Sequence, residues 1–286
     1  MKAPPFRYVK PATPDDALAL LAEHGDDAQI LAGGQSLMPL LNLRMARPGL
    51  LIDINGLAEL GGITRDDTHL SLGALTRHAE IAASPDVRDA APLLALAAPH
   101  IAHVAIRTRG TIGGSLALAD PAAEWPLCAL ALGAEIELMS RARGPRTITA
   151  DDFFQGLYTT DRAADEIVTR IRVPAAGQAT VHHFDEIARR HGDFAIVALA
   201  LSANRDGGRF TNVRIAFSGV SDRPVLARGA MAALEDRNPD AAFDALAADI
   251  DPPDDATYPA AYRRRLAATL LSRALAKLGA STTHAA

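Results

Sequence analysis

Cysteine is nearly absent from this chain: Cys128 is the one thiol in 286 residues. A single cysteine excludes an internal disulfide, a thiolate zinc site and a cysteine-ligated iron–sulfur cluster on this chain. It also sets the expectation of a reducing, cytoplasmic setting. Aromatic residues make up only 5%, so the core has to be assembled from Leu, Ala, Val and Ile. No apolar run approaches the roughly 20 residues of a membrane span. The opening "MKAPPFRYVKPATPDD" lacks the apolar stretch of a secretory signal, so none is expected. Positive charge is not in excess either. The net charge is −5, with 34 acidic against 29 basic residues, which argues against nucleic acid as the main partner. The basic runs "RMARP" and "YRRRLAATLLSR" read as solvated faces.

Several motifs are missing as well. There is no G-x-G-x-x-G after a strand, no G-K-[ST] and no G-x-S-x-G elbow. The nine histidines offer no metal set. His100 and His103 lie three apart without a third ligand at a recognisable spacing. His182 and His183 are adjacent in a strand-like segment and point to opposite faces. Cys128 lies within the apolar "WPLCALAL" and reads as a buried, inert thiol.

What is present is punctuated secondary structure. In "TPDDALALLAEHG", Thr13 caps a helix, Pro14 enters it and Gly25 stops it. "AQILAGG" and "LLIDI" read as buried strands on either side of the short helical "LMPLLNLRMA", a β-α-β unit. A hairpin turns at Asp66-Asp67, and a helical stretch follows with a break near Ser84-Pro85. In "DPAAEWPLCALALGA", Asp120 is the expected N-cap and Gly133 the stop. "AEIELMS", "RTITADDFF" and "DEIVTRIRVP" read as strands. After the Pro/Gly/Ala boundary "PAAGQAT" come three strands, with Gly207-Gly208 turning the second into the third, and then helices.

Two stretches repeat one idea: "ILAGGQSLMPLLNLR" and "RGTIGGSLALADPAAEWP" each place Gly-Gly just before a small hydroxyl residue. Glycine permits positive φ and close backbone approach. Consecutive N–H groups in such a turn form a concave nest for an anion. Two of them suit the two phosphates of a dinucleotide, while either pair alone equally suits a tight turn between strand and helix.

Together these loops resemble those of the FAD-binding medium subunit of the molybdenum hydroxylases, the family of carbon monoxide dehydrogenase and xanthine dehydrogenase-type enzymes. The resemblance covers nearly the whole chain; "RRHGDFAIVALAL" and "YRRRLAATLLSRAL" resemble the C-terminal domain of the same subunits. It implies an α+β chain: a two-subdomain FAD-binding fold of the vanillyl-alcohol oxidase type, residues 1–56 and 57–176. A small C-terminal domain of three antiparallel strands and helices, residues 177–286, follows. It also implies site residues. Ala32, Gly33, Gly34, Gln35 and Ser36 match the first pyrophosphate loop, and Leu37 follows on the flavin side. Thr111, Ile112, Gly113, Gly114 and Ser115 match the second. Asp120 and Glu124 match acidic or polar positions near the cofactor, suited to ribose hydroxyls; Val168 matches an apolar contact. Asp193 and Phe194 match a Gly-Asp-aromatic segment beside the isoalloxazine. The chain departs from the pattern at Ser115, where Asn is usual, and at Leu118, where relatives are polar. It departs again at Asp185-Glu186, where a Lys is common.

The implied cofactor is FAD. The implied partners are a large subunit with the molybdenum cofactor and a small subunit with two [2Fe–2S] clusters, in a dimer of heterotrimers. No metal-binding and no acid–base residue on this chain is expected. A self-sufficient flavoenzyme and a colourless scaffold protein are the alternatives.

Overall fold

Strand β1 (Arg7–Val9) leads into helix α1 (Pro14–His24), which begins as its sequence demands. The Thr13 hydroxyl accepts the Asp16 N–H at 3.2 Å, and the Asp16 carboxylate accepts the Thr13 N–H at 3.1 Å. Strand β2 (Ala28–Leu31), helix α2 (Leu37–Asn42) and strand β3 (Leu50–Asp53) complete a parallel sheet of order β1-β3-β2. It has one strand more than the apolar pattern shows, because the exposed residues of β1 carry no such pattern. Ala17, Leu18 and Leu21 of α1 pack with Leu50 and Ile52 in its core. The first glycine loop leaves the carboxyl end of β2, where open parallel sheets present ligand sites. This computed structural model describes residues 2–279; Met1 and residues 280–286, the ends of the first and last expected units, lie outside the described residues.

Strands β4 (Ile63–Arg65) and β5 (His69–Gly73) form the expected hairpin, turned by the Asp66 carboxylate, which accepts the Thr68 and His69 N–H groups at 2.7 and 2.8 Å. Six short helices follow: α3 (His78–Ala83), α4 (Pro85–Ala90), α5 (Pro92–Ala97), α6 (Val104–Arg107), α7 (Ile112–Leu118) and α8 (Glu124–Leu132). The break at Ser84-Pro85 is joined by a second at Ala91-Pro92, since the residue before proline is pushed out of helical ψ. Asp120 is not the cap of α8: the helix starts at Glu124 with Ala123 before it. The Asp120 carboxylate instead accepts the Ala122 N–H at 2.9 Å, a local Asx turn that bends the chain first.

Strands β6 (Glu135–Ser140) and β7 (Gly144–Thr149) precede the helical turn α9 (Ala150–Phe153), the small hairpin β8 (Phe154–Gly156) and β9 (Thr159–Thr160), and strand β10 (Glu166–Pro174). The "ADDF" part of the expected strand is thus helical, with Asp151 and Asp152 in its first turn. The five-stranded antiparallel sheet has order β4-β5-β10-β6-β7.

The last sheet contains β11 (Thr180–Ala188), β12 (Ala195–Asp206), β13 (Arg209–Ser218) and a two-residue fourth strand, β14 (Val225–Leu226). Helices α10 (Arg228–Glu235), α11 (Pro239–Asp249) and α12 (Ala260–Lys277) follow. The two faces of this sheet differ in side-chain size. Ala198, Ala200 and Ala216 join the core that contains α5 and α8, whereas Leu199, Leu201, Ile215 and Phe217 join that of α10–α12. Small residues let α8 lie directly on β12 and β13. Among the described residues no helix is long and apolar enough to cross a membrane.

Candidate functional site

The two glycine loops meet. A Cβ on Gly33 would lie 2.5 Å from the Arg109 carbonyl oxygen and 2.8 Å from Gly110 Cα, so only glycine allows the first loop to touch the root of the second. A Cβ on Gly113 would lie 2.4 Å from Ala74 Cβ, so this glycine seats the second loop on the end of β5. Gly34 supplies conformation, with φ of +72°. A Cβ on Gly114 would come 3.9 Å from Ala32 Cβ, across from the first loop.

Between and around the loops lies a cleft of about 430 Å³. Its lining includes Ala32, Gly33, Gly34, Gln35, Ser36, Leu37, Thr111, Gly113, Gly114, Ser115, Asp120, Glu124, Val168, Asp193 and Phe194, brought together from around the three larger sheets. Of the sequence-predicted residues only Ile112 is elsewhere: it is 2% exposed and packed in the core, its N–H donating to the Thr76 carbonyl at 3.1 Å. Phe194 stands at the rim, 66% exposed.

The two loops spend their N–H groups differently. In the second, Ile112, Gly113, Gly114 and Ser115 donate to Thr76 O, Ala74 O, Thr111 Oγ1 and Thr111 O. In the first, the N–H groups of Gly33, Gly34, Gln35 and Ser36 have no acceptor among the described residues. The unclaimed N–H groups that an anion nest needs are therefore left in the first loop; Thr111 and Ser115 of the second also line the cleft. The Gln35 side chain is engaged within the loop: its Nε2 donates to the Gly33 carbonyl at 2.9 Å.

Some of the cleft's titratable groups are desolvated. Glu124 is 6% exposed, and burial, reinforced by Glu186 and Asp120 nearby, pushes its carboxyl up to about 7. His78 accepts the Trp125 indole N–H at Nδ1, 2.8 Å away, and burial with the Arg77 and Arg107 charges lowers its pKa to about 4, so its ring is neutral. Arg162 is the one Arg or Lys among the described lining residues; its Nη1 donates to the Ala163 and Glu166 carbonyls at 3.0 and 2.8 Å. Nothing in "TTDRAADE" marks Arg162, because its place depends on the hairpin β8–β9 folding back. Asp185 and Glu186 do not line the cleft. Asp185 lies 3.4 Å from Arg273, and Glu186 pairs with His100 at 3.1 Å. Leu118 and Ser115 do line it.

This arrangement fits a dinucleotide: unclaimed backbone donors for a pyrophosphate, glycines with no room for a Cβ, and apolar walls from Ile30, Leu40, Ile54, Leu75 and Ile101.

Comparison with known proteins agrees with that chemistry. Residues 4–176 match the FAD binding domain in molybdopterin dehydrogenase, and residues 182–278 the CO dehydrogenase flavoprotein C-terminal domain. Caffeine dehydrogenase subunit beta of Pseudomonas sp. (strain CBB1) is 38% identical over 99% of this chain and 98% of its own length. Among solved structures, carbon monoxide dehydrogenase from Hydrogenophaga pseudoflava, in a form lacking the Mo-pyranopterin moiety of the molybdenum cofactor, superposes with a TM-score of 0.93. It is 38% identical, and the match covers 96% of this chain and 98% of that one. Quinoline 2-oxidoreductase from Pseudomonas putida 86 superposes with a TM-score of 0.90 at 37% identity, over 98% and 99% of the two chains. Both domains in order, full-length coverage and a cleft shaped for a dinucleotide identify the chain as an FAD-binding oxidoreductase subunit belonging to the medium-subunit family of the molybdenum hydroxylases.

Proposed function

We propose that this chain is the electron-relay subunit of its complex, taking electrons from two [2Fe–2S] clusters on a small partner subunit and delivering them to an external acceptor. The substrate is oxidised at the molybdenum cofactor of a large partner subunit, and the assembly is a dimer of heterotrimers in the cytoplasm. The observation that carries the reading is the row of four unclaimed N–H groups on the first loop, closed over by the second loop. The sole thiol supports placing the clusters on another chain: Cys128 is fully buried inside α8 and cannot ligate one.

In this reading the backbone of residues 32–36 holds the pyrophosphate, with Thr111 and Ser115 opposite it. Gln35 acts by fixing the Gly33 carbonyl, and so the Gly34 N–H on its other side. Leu37, Val168 and Phe194 give apolar contact, while Asp120, Glu124 and Asp193 supply polar groups, and Arg162 is the cation that Asp185 and Glu186 do not provide. FAD, when bound, supplies the exchange between one- and two-electron transfer; the protein supplies binding, orientation and a dry setting. The three larger sheets support dividing the chain at 56 and 176.

The test is to purify the full chain alone and with its partner subunits. The chain alone takes up FAD, shown by a flavin absorption spectrum, and turns over no organic substrate. In the complex, the substrate of the large subunit bleaches the flavin. Turnover of a small organic substrate by the FAD-loaded chain alone would overturn the reading in favour of a self-sufficient enzyme. Failure to take up FAD would remove the cofactor assignment itself.

A further inference from the structure

Behind the first loop, outside the cleft, sits a side-chain pair that joins both loops: Asn55, just after β3, and Arg77, just before α3. The Asn55 amide is fully used. Its Nδ2 donates to the Ala32 carbonyl at 2.7 Å and to Asp53 Oδ1 at 2.6 Å, and its Oδ1 accepts from Arg77 Nη2 at 2.7 Å. The other guanidinium nitrogen, Arg77 Nη1, donates to the Arg109 carbonyl. The Arg77 backbone bridges to Thr111, and its neighbour His78 donates from N–H to the Gly110 carbonyl at 3.0 Å. One chain of hydrogen bonds therefore runs from the first loop through Asn55 and Arg77 to the root of the second.

The direction of these bonds matters. In a trans peptide the C=O and the following N–H point opposite ways, and among the described residues every peptide is trans. Drawing the Ala32 carbonyl back onto Asn55 turns the Gly33 N–H forward. Gln35 does the same one peptide later, drawing on the Gly33 carbonyl. Without the Asn55 amide, the Ala32–Gly33 peptide loses the bond that sets its plane, and the first donor of the nest is no longer preset.

We infer that Asn55 and Arg77 are positioning residues for the anion nest: Asn55 aims the Gly33 N–H at the pyrophosphate, and Arg77 locks Asn55 and the second loop to each other. The inference rests on the reading that the cleft holds FAD, and it adds two residues that touch neither cofactor nor cleft.

Asn55→Leu tests this role without adding a charge beside Asp53 or the nest. Leucine has a similar volume but no N–H for the Ala32 carbonyl and no oxygen for Arg77. Arg77→Lys keeps the charge but loses the planar fork that reaches Asn55 and Arg109 together. The experiment measures dissociation constants of FAD, ADP and adenosine for the full-length ligand-free wild type and both variants. Melting of each ligand-free chain is recorded alongside. The expected result is a loss of about tenfold or more for FAD and ADP, of the order of one charge-assisted hydrogen bond, with adenosine binding unchanged. Asn55→Leu and Arg77→Lys combined should cost little more than either alone, because both cut the same chain of bonds.

Wild-type-like FAD and ADP affinity in the two variants would overturn the inference while leaving the cofactor assignment intact. An equal loss for adenosine would also overturn it, by showing a general structural role. If one variant fails to fold, the other decides. A wild-type chain that binds neither FAD nor ADP would instead defeat the underlying reading.

Discussion

Glu124 holds its proton to about pH 7 because folding strips its water and sets Glu186 and Asp120 near it. The sign of its effect on stability follows. Its folded pKa lies above the ordinary value of 4.5, so between pH 4.5 and about 7 the unfolded chain releases this proton while the folded chain keeps it. Stability from this group is present below pH 4.5 and is lost as pH rises to 7, a loss of about 2–3 kcal/mol. Glu124→Gln, which cannot ionise, should therefore gain stability over the wild type as pH rises through that window, as urea titrations of the ligand-free chain at several pH values will show. Gly33 is constrained by space: a Cβ there meets backbone atoms that cannot give way. Gly33→Ala should cost about 1–3 kcal/mol by overpacking and abolish FAD uptake, read by melting and by flavin fluorescence quenching. At this scale the glycine loops were legible as a pattern but not as functions. Nothing local distinguishes Gly33, needed for close approach, from Gly34, needed for positive φ. The Gln35 side chain donates to the Gly33 carbonyl, and the Ile112 N–H to the Thr76 carbonyl. Asn55 follows a strand in "IDINGL", where an Asn-Gly reads only as a turn.

Helix α8 is apolar all round, and all nine of its residues are buried, because the second sheet's core covers one side and the alanine face of β12 and β13 the other. Its capping logic was legible at one end only. Gly133 stops it in a left-handed turn as the sequence suggests, while its start is displaced to Glu124 by the Asx turn at Asp120. Near its end, the Leu130 carbonyl accepts from Arg214 Nε and Nη2 of β13 at 3.0 and 2.8 Å, and the same guanidinium binds the Asp151 carboxylate. One arginine thus ties the last sheet to the helix that begins with Glu124. Arg214→Ala should cost about 1.5–3 kcal/mol, since it removes hydrogen bonds to a charged group in a half-buried setting. Cys128 reports the outcome: the thiol is fully buried, and burial pushes its pKa up, so a thiol reagent reaches it only on opening. Its labelling rate should rise by about tenfold or more in the variant under conditions where opening is pre-equilibrated.

The molecule as a whole stores an acid sensitivity in two histidines, the buried His78 and the half-buried His182. Burial lowers His78, aided by the Arg77 charge, and His182 to about 4, both from 6.5. Between pH 6.5 and 4 the unfolded chain binds these protons and the folded chain does not, so stability falls as pH drops through that window. The nitrogens of His182 are buried without a hydrogen-bond partner in the described structure. His182→Leu should therefore keep more of its stability at about pH 5 than the wild type, measured by the urea midpoint. The sequence by itself determined the order of the main elements, the sparing use of cysteine and aromatics, and the presence of the two glycine loops. These are local properties, written in capping residues, turn residues and apolar spacing. Only the tertiary structure decided which loop keeps its N–H groups for a ligand, that Asn55 and Arg77 join the loops, and that Arg162 enters the cleft. The Asn55–Arg77 link depends on hydrogen-bond partners 22 or more residues away, and no local pattern encodes it.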